Sequence, residues 1–236
     1  MARTILILGA AAPLAQRVGR ALVREDDAVL LADDDPAETQ LVAADLGARR
    51  ACTVETMALD AADPARCGAL AADVLTRFGA PDIVIVATGV ADARPDPIAA
   101  ASMIAATASA TGPLVDAMAA QGAGLAIVLC SIAGARGHAT DDLHDAGVAG
   151  LNAYLRRLRR RLHRSGVRIA SVNVDAVDPH TAIEGPFVAG DLDRIAEAIA
   201  ALVDTPRDVV YFPFYRQWAV AAARLVPDAL YKRLPF

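Results

Sequence analysis

The sequence predicts a doubly wound α/β fold, a mainly parallel sheet of seven strands flanked by helices. Short β-rich apolar runs alternate with longer stretches at the helical period along the whole chain. A length of 236 residues suits one such domain with a sizeable core. Composition agrees: 55% of the residues are hydrophobic, which excludes wholesale disorder.

The strands expected in chain order are Thr4–Leu8, Ala28–Ala32, Thr53–Leu59, Asp82–Ala87, Leu125–Cys130, Val167–Val174 and Val209–Phe212. Between them, Leu14–Val23 sets Leu14, Val18, Ala21 and Leu22 on one helical face. Further helices are expected over Pro64–Phe78, Ile98–Ala120, Ala146–Arg164 and Leu192–Val203, and Asp33-Asp-Asp35 ahead of Pro36 reads as a helix start. No repeat, low-complexity tract or linker interrupts the pattern, so residues 1–236 are expected to form a single domain. The tail from Tyr211 to Phe236 differs in character, with Phe212, Phe214, Tyr215 and Trp218 ahead of a short amphipathic pattern. Two readings stand for it: a wall of a substrate pocket, or a terminal helix packed on the domain or on a partner subunit.

Several classes are disfavoured. The longest apolar run, from Ile5 to Ala15, is far shorter than the roughly 20 residues of a membrane span. Asp26 and Asp27 follow it closely, so a strand and helix are expected there rather than a secretory signal, and the protein is expected in the cytoplasm. A net charge of -5 argues against nucleic acid as a partner. Cys52, Cys67 and Cys130 lie far apart without metal-ligand spacing, so no disulfide framework and no metal site is expected. The run Arg156–Arg164 has two readings, an anion-binding patch or the solvated end of a helix whose cations meet the negative end of its dipole.

The motifs then follow in order. The first strand runs into Gly9-Ala-Ala-Ala-Pro13-Leu14-Ala15, Asp33 ends the second strand, Asp60 opens Asp-Ala-Ala-Asp63, and Ala87-Thr-Gly89 follows the fourth strand. Further on come Ile127-Val-Leu-Cys-Ser131-Ile-Ala-Gly134, His144-Asp-Ala-Gly-Val148 and Val167-Arg-Ile-Ala-Ser-Val-Asn173-Val-Asp175. In order and spacing this series resembles the short-chain dehydrogenase/reductase family, from Thr4 to about Phe214. The resemblance implies a Rossmann-type fold and a dinucleotide cofactor. It places Gly9, Leu14, Asp33, Asp60 and Gly89 on the cofactor, with Asp33 favouring NAD over NADP through the adenosine ribose. It also implies a catalytic serine, Ser131.

Departures from the family pattern concentrate at the chemistry. The TGxxxGxG turn keeps only Gly9, since Pro13 lacks an N–H and Ala15 adds a methyl group where the family has glycine. Where the family carries YxxxK the chain has His144 and Val148, and its one lysine is Lys232. Proton transfer by the family route is therefore excluded by the residue inventory. His144 retains a functional reading, because imidazole titrates near neutral pH without a lysine beside it, leaving Ser131 and His144 as a minimal pair. The alternative makes His144 a solvated residue in an acidic loop and Ser131 a strand-end hydroxyl capping a turn. Asp33 likewise reads either as an adenosine contact or as part of a helix start.

Three functions follow from this reading. The first is a non-catalytic subunit of a homo-oligomer, or of a hetero-oligomer with an intact relative. The second is an NAD-dependent oxidoreductase using Ser131 and His144, and the third is a dinucleotide or small-ligand sensor. Weak NAD binding is expected throughout. The helices over Ile98–Ala120 and Ala146–Arg164 carry apolar stripes, and a monomer is expected to leave part of them exposed.

Overall fold

A computed structural model describes residues 2–88, 97–131, 142–174, 192–215, 217–218 and 221. Its elements are β1 (Thr4–Leu8), α1 (Pro13–Leu22), β2 (Ala28–Asp33), α2 (Pro36–Arg50), β3 (Thr53–Ala58), α3 (Pro64–Phe78), β4 (Ile83–Val86), α4 (Pro97–Gln121), β5 (Gly124–Ser131), α5 (Asp142–Leu162), β6 (Val167–Val174), α6 (Leu192–Ala200) and β7 (Val209–Phe212). One 3₁₀ turn, Ala201–Val203, extends α6. All seven strands form one sheet in the order β3-β2-β1-β4-β5-β6-β7, and every pairing is parallel.

The near-continuous apolar strands are explained by burial on both sheet faces. Along β1, Leu6 and Leu8 point into a core shared with α3, α4 and α5, whereas Ile5 and Ile7 point into a second core with α1, α2 and α6. This is the period-two alternation of a strand between two helical layers. Leu6 and Ile5 are both fully buried, and each such side chain stabilises the fold by roughly 1.5–3 kcal/mol.

Local chemistry fixes the helix starts. Prolines open α1, α2 and α3 at positions where a missing N–H costs nothing. Asp35 accepts from the Ala37 and Glu38 amides, and Asp63 from those of Ala65 and Arg66. The N-cap of α1, Ala12, provides no side-chain acceptor.

Three features depart from the sequence reading. Helix α2 spans Pro36–Arg50 although its apolar signal is thin, with only Thr39, Val42 and Leu46 buried. Most of the apolar stripes of α4 and α5 is kept from water: Leu114, Val115, Met118, Leu151, Leu155, Leu158 and Leu162 are buried within the one chain and Ile104 is half-buried, while the side chain of Met103 lies outside the described residues. The reason is that α4 lies between α3 and α5, so its apolar positions face two helices as well as the sheet. The arginine run is also not uniformly solvated. Arg159 turns inward, donating from Nε to the Ile169 carbonyl at 2.7 Å and from Nη2 to the Ser171 hydroxyl at 2.7 Å. Burial draws the Arg159 pKa down.

Candidate functional site

The strand order reverses direction between β1 and β4, and a crevice at the carboxyl ends of such strands is where open α/β sheets bind ligands. Gly9 ends β1 there with φ +80°. A Cβ at this position would lie 2.9 Å from both the Ala87 carbonyl carbon and the Thr88 nitrogen, so only glycine lets the turn pass this close to the end of β4. The turn is pinned by the Gly9 amide donating to the Ala32 carbonyl at 2.8 Å and the Ala12 amide to the Gly9 carbonyl at 3.2 Å.

Past the turn, Pro13 opens α1 and offers no N–H. The Leu14 side chain is buried in the core beside Ala15, so what Leu14 can present to a ligand is its backbone amide in the first turn. Ala15 is fully buried, and one turn later a Cβ at Gly19 would lie 3.4 Å from Ile7 Cδ1, an ordinary packing contact.

Asp33, at the end of β2, is buried and its carboxylate is already engaged by the chain. Oδ2 accepts from the Ala11 amide at 2.8 Å, and Oδ1 accepts from the Asp34 and Asp35 amides at 2.8 and 3.2 Å. The helix cap beside it is Asp35 rather than Asp33. Asp33 thus ties the β2 end to the β1–α1 turn. A hydrogen bond with the Asp33 carboxyl, together with burial and charge repulsion, pushes the Asp34 carboxyl above its ordinary pKa. Gln16 reinforces the turn, donating to the Ala11 carbonyl at 2.9 Å and to Glu38 at 3.0 Å.

Asp60 follows β3, accepting from the Ala62 amide at 3.1 Å and from Arg66 at 3.2 Å. Asp33, Asp34, Leu59 and Asp60 line one open groove of about 690 Å³ that continues beneath α3 past Arg66 and Leu70. The two aspartates singled out in the sequence therefore share a cleft. With Asp60 at its edge and the apolar Leu59 and Leu70 in its wall, the groove is compatible with a nucleoside. At the start of α1, Pro13 presents no N–H to the crevice. Among the described residues, no three His, Cys, Asp or Glu side chains are grouped to hold a metal ion.

On the far side of the crevice, Ser131 is the last residue of β5, in register with Val174. His144 lies in the first turn of α5 and Val148 one turn later. The side chains of Ser131 and His144, and Gly89 as a whole, lie outside the described residues. Val148 is buried at 1% exposure and belongs to the core between α5 and the sheet. One further turn along, Asn152 donates to the Val148 carbonyl at 3.1 Å and to Asn173 Oδ1 at 3.4 Å, and Asn173 donates to the Val210 carbonyl at 3.4 Å. This amide pair joins α5 to β6 and β7. It went unnoticed in the sequence, where the one signal was that these are the chain's only asparagines. Burial pushes the Cys130 thiol up to about 12, so it is no nucleophile.

The family model described as short chain dehydrogenase matches residues 3–189. The chain belongs to the short-chain dehydrogenase family. An uncharacterized oxidoreductase of Streptomyces coelicolor is 29% identical over 242 residues, covering 98% of this chain and 96% of that protein. An uncharacterized oxidoreductase of Mycobacterium tuberculosis strain CDC 1551 is 27% identical over 245 residues, covering 99% and 98%. Among solved structures, a short-chain dehydrogenase from Sphingobium yanoikuyae in complex with NADPH superposes with a TM-score of 0.79 at 18% identity, covering 99% of this chain and 96% of that one. An alcohol dehydrogenase from the archaeon Thermococcus sibiricus, complexed with 5-hydroxy-NADP, gives a TM-score of 0.73 at 21% identity, covering 89% and 96%. The short-chain dehydrogenase fold is thereby matched over nearly the whole chain.

Proposed function

We propose that this chain is a short-chain dehydrogenase homologue whose proton-transfer machinery has been dismantled, and that it works as a non-catalytic subunit of an oligomer. The observation that carries the reading is Val148. At the position where the family's lysine stands there is an apolar side chain sealed into the core at 1% exposure, held from below by Asn152 on the Val148 carbonyl. No other lysine is near in sequence to take its place, since the chain's one lysine is Lys232.

The oligomer part of the proposal finds support on the outer faces of α4 and α5, where Ala105, Ala149 and Ala153 are exposed. Side chains this small let a second pair of helices approach closely across a two-fold axis. NAD, bound weakly through Asp33 and the groove it shares with Asp60, is the cofactor proposed for this site, with NADP disfavoured by the Asp33 charge. Light scattering on the purified chain, alone and co-expressed with an intact family member, tests the subunit role: a dimer, larger oligomer or mixed complex is expected, and a monomer indifferent to the relative contradicts it.

A second reading keeps catalysis, with Ser131 and His144 as the acid/base pair. It is favoured by the survival of Ser131 at the end of β5 and by His144 standing on α5 four residues before Val148. Turnover abolished by both His144→Ala and Ser131→Ala would establish it.

A further inference from the structure

We infer that the groove between α1 and α6 binds a small zwitterion of the amino-acid or short-peptide kind, its carboxylate against arginines on one wall and its ammonium against carboxylates on the other. The groove encloses about 550 Å³. It is separate from the crevice described above. Helix α1 starts beside Gly9, at the end of β1, and its last turn returns to the opposite rim, where Arg3 ahead of β1 donates from Nη2 to the Leu22 carbonyl at 3.0 Å. Leu22 belongs to the groove.

Sequence and topology set the two walls. Arg17, Arg20 and Arg24 recur three and four residues apart along α1 and its exit, off the face that buries Leu14, Val18 and Leu22. Asp193, Glu197 and Asp204 line the other side, on α6 and just past the 3₁₀ turn, off the face that buries Ala196 and Ile199. The two helices pack side by side on one sheet face, so a cationic wall stands opposite an anionic one. At one end the walls meet, with Arg17 Nε 2.9 Å from Asp193 Oδ1. Further along they do not: Arg20 turns away to Asp45 at 2.7 Å, and among the described residues Arg24, Glu197 and Asp204 have no ion-pair partner. Ala21, Ala200 and Ala201 lie between, and their short side chains leave the gap open.

A second guanidinium joins Arg24 from α2. Arg50 donates from Nη2 to the Arg20 carbonyl at 2.9 Å, which holds its head over the last turn of α1 at the groove, again without a carboxylate partner among the described residues. Two guanidinia facing two carboxylates across an open gap select a ligand that carries both signs. A simple anion is repelled by Glu197 and Asp204, and a simple cation by Arg24 and Arg50. A zwitterion is met at both ends, with the planar guanidinium fork suited to its carboxylate.

Triglycine, which carries both charged termini and no side chains, is the probe. Titrated into the isotope-labelled full chain, it should shift the amide resonances of Ala21, Ala200 and Ala201 in a saturable way. N-acetyltriglycine lacks the ammonium and triglycine amide lacks the carboxylate, and each should bind about tenfold more weakly. Arg24→Glu and Glu197→Lys should each lower triglycine affinity about tenfold while leaving the melting temperature unchanged, since both side chains are exposed. The double variant Arg24→Glu/Glu197→Lys exchanges the two charges and should regain affinity, which a purely structural role for either residue would not produce. No shift of the three alanines with triglycine, or equal binding of the blocked forms, would overturn the inference. So would Arg24→Glu converting a stable dimer into a monomer, which would make the groove a subunit contact.

Discussion

Replacing Asp33 by alanine separates a carboxylate kept for the fold from one kept for a ligand. In the structure it accepts from three backbone amides, and the Ala11 amide reaches it across the gap between the β2 end and the β1–α1 turn. Asp34 and Asp35 are exposed, so water replaces much of what their amides lose. Ala11 is partly buried, and a hydrogen bond to a charged acceptor there contributes about 1.5–3 kcal/mol. Relief of Asp34, whose carboxyl is pushed up by its neighbour, offsets a fraction of the loss. The expected destabilisation is about 2–3 kcal/mol, or a fall in Tm of roughly 5–10 °C for a domain of this size. Urea unfolding should show a lower midpoint at an unchanged slope, and Asp33→Asn, which keeps an acceptor oxygen, should fall between the two. If Asp33→Ala instead matched the parent in stability while losing NAD affinity measured by calorimetry, the structural account of this residue would be wrong.

Three further outcomes follow from the same geometry. Gly9→Ala should cost about 2–4 kcal/mol, because it combines a left-handed backbone with a Cβ 2.9 Å from Ala87 and Thr88, and a urea midpoint equal to that of the parent would contradict this. Val148→Lys should not restore activity but destabilise the protein by several kcal/mol, since it forces an ammonium into a site with 1% exposure, and a soluble variant of unchanged Tm would show that the site is open after all. Asp27 is buried, which alone would raise its pKa, but hydrogen bonds from the Arg3 guanidinium and the Arg24 amide outweigh this and lower it below the ordinary 3.8. Its contribution is therefore fully present above about pH 4 and lost as the pH falls through the lowered value, so Asp27→Asn should flatten stability against pH in that acid range, with an unchanged slope as the contrary result.

The strands were legible because all but β3 and β6, which carry polar residues within them, are near-continuous apolar runs between turn residues. Thr4–Leu8, Val167–Val174 and Val209–Phe212 have the expected ends, and the other four shift by one residue at one end or both. Helix α2 was hard to delimit because an alanine-rich helix covering a sheet edge needs only three buried positions, too few for a strong period. The burial of most of the α4 stripe follows from its neighbours, since a helix between two others and a sheet buries a wider arc than one on a sheet alone. At the site, the spacing of Gly9, Asp33 and Asp60 showed where a ligand crevice should lie. The partners of Asp33 were invisible, because amides of residues 11, 34 and 35 meet only after β1 and β2 have paired. The inward turn of Arg159 depends in the same way on β6 lying under α5, which a run of identical arginines cannot signal.

The central claim is that no group in this chain completes the family's proton transfer. Incubating the purified protein with deuterium-labelled NADH or NADPH and a panel of ketones, then measuring deuterium in any recovered alcohol by mass spectrometry, addresses it most directly. The account predicts no label in product beyond that formed in buffer, for the parent and for His144→Ala alike. Label accumulating steadily with the parent, and surviving His144→Ala, would contradict it.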